Sequence, residues 1–121
     1  MNAIIFIPFA FGGNPATESG PKAVLRALNH NRILNTEFIV LNQDFFDSAH
    51  SFLINCENKI MHLFCKYDKC CIVGGNHLSI LPAYNLITSQ KKNADILLLD
   101  AHRDYYPENS INHATFLSGA L

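Results

Sequence analysis

Four short apolar runs, separated by stretches of helical periodicity, set the frame of this chain. Ala3 to Pro8 is a continuous β-branched and aromatic run, the pattern of a strand buried on both faces. Glu37 to Leu41, Cys70 to Val73 and Asp95 to Leu99 predict three more strands. Phe11 to Ser19 is rich in Gly, Asn and Pro and predicts a loop. A helix then opens with Pro21 in its first turn, where the missing N–H costs nothing, and runs to about Asn29. Val24, Leu25 and Leu28 are expected on its inner face. From about Ser48 to Tyr67, the stripe of Phe52, Ile60, Leu63 and Phe64 predicts a second helix. Gly74 and Gly75 halt the third strand, and a helix from about Leu78 to Ser89 follows, with Pro82 near its first turn. Short strands alternating with helices predict βαβ units and a mostly parallel sheet.

The chain of 121 residues is 49% hydrophobic, enough for one domain with a real core. Charged residues make up only 16% and the net charge is −1, with nine basic residues scattered along the chain. That distribution argues against a nucleic-acid partner or a polybasic membrane contact. No stretch reaches the roughly 20 apolar residues of a bilayer span. The opening MNAIIFIPFAF lacks a cationic leader and a small-residue cleavage pattern, so it reads as strand rather than signal peptide. Cys56, Cys65, Cys70 and Cys71 show no CxxC spacing and read as buried thiols of a cytoplasmic protein.

The candidate chemistry lies at strand ends. The fourth strand runs directly into Asp100, His102 and Asp104, within the segment ADILLLDAHRD. Buried strands shed charge, so two carboxylates and an imidazole there call for a compensating partner, and a divalent metal is the natural one. The bland reading is a polar surface turn. The third strand ends in Gly74-Gly75-Asn76-His77. In open parallel sheets functional groups gather beyond the carboxyl ends of the strands, so His77 joins Asp100, His102 and Asp104 if these two strands are neighbours. Mixed His and Asp donors suit Mn, Fe, Co or Zn better than Ca or Mg, and a bridging Asp suits a two-metal site. His30, His50 and His62 have no ligand spacing and read as surface or half-buried residues. Gly12-Gly13 and Gly74-Gly75 match no phosphate-binding pattern and read as turns that permit close backbone approach. Ser79 and Ser118 form no recognisable triad. On spacing alone, His113 reads equally well as a solvent-facing or a functional histidine.

These residues resemble a known family. GGNHLSILPAY (74–84) resembles the GGDHS segment of the ureohydrolases, which include arginase, agmatinase and formiminoglutamase. DAHRD (100–104) resembles their DAHxD segment. Gly20-Pro21 with Leu25-Arg26 looks like their GPxxLR helix start, and Asn112-His113 with Thr115-Phe116 is similar to the N/D-H-G-T-x-F segment of agmatinases. The resemblance implies a three-layer α/β/α fold with a binuclear manganese site that hydrolyses a guanidino group and releases urea. It further implies His77 on one metal with Asp104, His102 on the other, Asp100 bridging the two, and His113 as a proton-shuttling or substrate-side histidine.

The sequence departs from the family pattern in several places. The third metal motif of the family, SxDxDxxDP, is not found before Leu121. The resemblance therefore covers the amino-terminal half of the catalytic domain over residues 1–121, after about four strands, and leaves one or two manganese ions to be held. Asn76 replaces an acidic residue, Ala114 replaces a glycine, and Arg103 with Tyr105-Tyr106 differs from a Thr-rich sequence. Two readings follow. One is an arginase- or agmatinase-like hydrolase of a linear amidine, acting on arginine, agmatine or peptide-borne arginine. Its partners would be a second copy of the chain or a complementary carboxy-terminal half. The alternative is an inactive family member that binds metal or serves as an interaction module.

Overall fold

The computed structural model describes residues 1–8, 19–31, 33–41 and 49–90, without the side chains of Ala49 and His77. Three strands, β1 (Asn2–Ile7), β2 (Thr36–Val40) and β3 (Cys70–Gly74), form a parallel sheet in the order β2-β1-β3. Ile5 in the central strand is in register with Ile39 on one side and Ile72 on the other. Three helices connect or follow the strands: α1 (Ser19–Asn29), α2 (Ala49–Lys66) and α3 (Ile80–Gln90), the last entered through a 3-10 turn at His77–Ser79. Each observed element lies within two residues of its sequence expectation. The expected strand at 95–99 lies outside the described residues.

β1 is central because its residues are apolar on both faces. Ala3, Ile5 and Ile7 point into the main core with Leu41, Phe52, Leu53, Cys56, Ile60, Tyr67, Leu78 and Leu81. Cys70 and Ile72 join them from β3, and Leu63 and Phe64 from α2. The expected α2 stripe is therefore the inner face of that helix, widened by Leu53 and Cys56. Phe6 and Pro21 are buried outside this cluster, on the opposite face, where α1 packs against β1 and β3. The Phe6 and Phe38 rings meet edge to face there, 6.0 Å apart. The sheet thus has α1 on one face and α2 with α3 on the other, a three-layer arrangement.

Two expectations need correction. On α1, Leu25 and Leu28 are half-buried, but Val24 is 40% exposed. The inner stripe is Pro21, Leu25 and Leu28, spaced i, i+4, i+7, and Val24 falls to its side. The reading of buried thiols holds for Cys56 alone, since Cys65 and Cys71 are exposed and Cys70 is half-buried. Cys65 lies off the inner stripe of α2, and Cys71 points to the face opposite Cys70 and Ile72. None of the four cysteines is in a disulfide.

Candidate functional site

The strand order decides where chemistry can gather. The chain leaves β1 for β2 on one side, then crosses back past β1 to form β3 on the other. Connections from β1 and β3 therefore diverge, and the crevice at their carboxyl ends is the switch point of the sheet. Gly74, in register with Ile7, ends β3 at this crevice. The segment that sequence reasoning marked with His77 starts there.

A tight turn holds that segment. The Asn76 side-chain oxygen accepts from the Leu78 N–H at 3.1 Å, and its main-chain oxygen accepts from the Ser79 N–H at 3.2 Å. Asn76 thus caps the turn and, through it, α3. Leu78 is completely buried, and Leu81, Pro82 and Ala83 follow it inward. This anchor fixes the backbone of His77, the first residue of the 3-10 turn, at the carboxyl end of β3. Pro82 sits in the first turn of α3, as expected, where it is tolerated.

Gly74 permits the turn to fold back this closely. A Cβ at Gly74 would lie under 3.0 Å from both Cβ and Oγ of Ser79, a separation that real Cβ atoms essentially never show. The expected close backbone approach is therefore present at this glycine; Gly12 and Gly13 lie outside the described residues. Ser79 is 3% exposed, and its Oγ has no hydrogen-bond partner among the described residues. An open pocket of about 530 Å³ adjoins the turn, lined by Ile72, Gly74, Gly75, Asn76, Ser79 and Ile80.

Of the sequence-predicted ligands, the structure describes the backbone of His77, at the start of the 3-10 turn that follows β3. Asp100, His102, Asp104 and His113 lie outside the described residues. Among the described residues, no three His, Cys, Asp or Glu side chains gather into a group that could hold a metal. His30, His50 and His62 are exposed, as expected for histidines without ligand spacing. Sequence reasoning missed two residues of the turn. Asn76 was legible as a substitution but not as a cap, although an Asn followed closely by a helix is a known signal. The buried hydroxyl of Ser79 had no sequence signal at all.

The far end of the sheet carries a separate polar group. Tyr67 donates from its hydroxyl to Glu37, and the Lys66 ammonium sits over the Tyr67 ring, 4.9 Å from its centre. The Met1 ammonium contacts Asp68 at 2.6 Å and, by hydrogen bond first and charge second, holds that carboxyl below its ordinary value. Burial pushes the Cys70 thiol up.

A parallel sheet with helices on both faces and a Gly-Gly-Asn-His turn at its switch point defines an open α/β protein, a class in which sites gather at the strand ends. The Arginase family model matches residues 2–121, and the chain belongs to that family. The fold is similar to that in the crystal structure of arginase from Bacillus subtilis, with a TM-score of 0.72 and 17% sequence identity. That match covers 98% of this chain and 45% of the Bacillus arginase, so the chain spans less than half the length of the structure it resembles. No curated protein matches the sequence. Among the described residues, no helix is long and apolar enough to cross a membrane.

Proposed function

We propose that residues 1–121 form the amino-terminal part of an arginase-like catalytic domain in the cytoplasm, which hydrolyses a carbon–nitrogen bond of a linear amidine and releases urea. The observation that carries this reading is the turn at the switch point. Gly74 admits Ser79, Asn76 caps the turn, and the backbone of His77 is thereby held at the end of β3.

Two further grounds support a divalent metal in this reading. The pocket beside the turn contains a buried hydroxyl with no hydrogen-bond partner among the described residues. The donor set that the sequence supplies, two histidines and two aspartates, suits manganese. In this reading His77 and Asp104 would hold one ion, His102 would hold a second, and Asp100 would contribute to both. Bound cations supply positive charge and lower the pKa of water toward neutrality. His113 takes or returns a proton at its imidazole, whose ordinary pKa of about 6.5 suits the task. The substrate class is a guanidino compound: arginine, agmatine or a peptide-borne arginine.

Manganese stoichiometry and urea release on the purified chain, with Asp100→Ala as control, test this reading. About two ions per chain, with urea formed from arginine or agmatine and lost in the variant, are the expected result. A chain that binds no manganese and forms no urea would overturn it. The second reading is a metal-binding module without activity. One ion per chain without urea would select that reading. In the hydrolase reading the proposed partners are a complementary carboxy-terminal segment or a second copy of the chain.

A further inference from the structure

We propose that β2 is the contact through which two copies of this chain pair, edge to edge and antiparallel, about a two-fold axis at Phe38. The inference is independent of the metal reading above. Among the described residues, β2 pairs with β1 alone. The bonds from Asn2 N–H to Asn35 O and from Leu41 N–H to Phe6 O bracket that ladder. Bonding residues alternate along a parallel pair, so Asn35, Glu37, Ile39 and Leu41 bond toward β1. Thr36, Phe38 and Val40 therefore turn their N–H and C=O groups outward.

Free edges are ordinarily blunted by lysine, proline or a bulge. β2 (TEFIV) has no lysine or proline, and its register with β1 is unbroken. Its one charged residue, Glu37, accepts from the Tyr67 hydroxyl, which holds the carboxylate on the α2 face and away from the edge. The other face is apolar. Phe38 meets Phe6 edge to face, so Thr36 and Val40, two residues to either side, stand on that same face. There α1 lies over β1 and β3, and Val40 is 45% exposed.

The spacing of these groups fits a second copy. The three outward residues are symmetric about Phe38. An antiparallel copy thus sets Phe38 against Phe38 and Thr36 against Val40, and each outward N–H meets an outward C=O. Aromatic and β-branched pairs across such a seam are favourable. Glu37 falls opposite Ile39 of the second copy, so no two carboxylates meet. A seam of five residues lies at the low end of specific interfaces, below about 1,200 Å² in total, which fits a reversible dimer rather than a permanent one.

The test is sedimentation velocity of the full chain from about 1 μM to 1 mM, with amide hydrogen exchange read by NMR over the same range. Wild type should pass from monomer to dimer. Protection of the Thr36, Phe38 and Val40 amides should rise with it, while the Glu37 and Ile39 amides, bonded to β1, stay protected throughout. Val40→Lys should weaken pairing by about tenfold or more and leave the melting temperature of the dilute protein unchanged. The exchange data on wild type decide the matter even where the variant folds poorly. A chain that stays monomeric would overturn the inference, as would a dimer in which these three amides gain no protection. Protection of the three at every concentration would overturn it too, since the chain's own residues would then cover the edge.

Discussion

Gly74→Ala should be among the most damaging single-methyl changes in the described residues. The added Cβ would come within 3.0 Å of Ser79 Cβ and Oγ, and within 3.4 Å of Asn76 O. Carbon atoms pack at about 3.5–4.0 Å, so the turn would have to retreat by at least about half an ångström. It cannot retreat freely, because Leu78 and Leu81, on either side of Ser79, are locked in the core. Overpacking of this kind costs about 1–3 kcal/mol. Alanine returns about 0.4–1 kcal/mol by restricting the unfolded chain. The net loss is then about 1–2 kcal/mol, or roughly 3–8 °C in melting temperature for a chain of this size. Urea unfolding should show a lower midpoint with an unchanged slope. The decisive arm is Gly74→Ala with Ser79→Gly, which removes the atoms the new methyl strikes. Ser79→Gly alone weakens the first turn by up to about 1 kcal/mol. The pair should lose less than the sum of the singles, with a coupling of about 1 kcal/mol. A Gly74→Ala protein as stable as wild type, or a strictly additive double variant, would refute the account of the turn.

Other consequences follow from the same structure. Ile5→Ala, which empties a fully buried position between Ile39 and Ile72, should cost about 2–5 kcal/mol by urea unfolding, while Val40→Ala, at a 45% exposed position, should stay within about 0.5 kcal/mol. Asn76→Ala should lower stability by about 1 kcal/mol through loss of the cap, and Asn76→Asp, whose carboxylate accepts the same N–H, should remain near wild type in thermal melts. Because the Met1 ammonium lowers the folded-state value for Asp68, that pair helps stability above the ordinary value of 3.8, and the benefit disappears as pH falls through the lower folded value. Asp68→Asn should therefore flatten the acid limb of the stability profile slightly, and identical limbs would show the pair to be inert. Thiol labelling of the native protein should modify exposed Cys65 and Cys71 before buried Cys56 and half-buried Cys70, whose raised value keeps it protonated. Labelling of all four thiols at one rate would contradict this packing.

The strands and helices were legible because burial imposes a period. Ala3 to Ile7 could be read as a central strand from apolar residues on both faces, and the α2 stripe from its spacing. Val24 shows the limit of that signal. It is as apolar as Leu25, but the inner stripe is only as wide as the sheet it covers, and a residue about 60° off its centre stays wet. Cys65 and Cys71 show the same thing, since a residue type that is usually buried follows the face it stands on. The candidate donors rest on a different argument: charged and imidazole groups at the ends of apolar runs are costly as packing, and Asp100, His102, Asp104 and His113 lie outside the described residues. That logic nominates donors and says nothing of what holds them. Asn76 and Ser79 act through contacts across a turn of six residues, where neither period 2 nor period 3.6 applies. Gly74 is the link between the two levels. Its sequence announced only a turn, but the absence of its side chain is what lets Ser79 sit against the strand and brings the backbone of His77 over the end of β3. The turn that carries His77 therefore depends on residues that offer no candidate ligand atom, and the Gly74 and Ser79 variants probe that dependence directly.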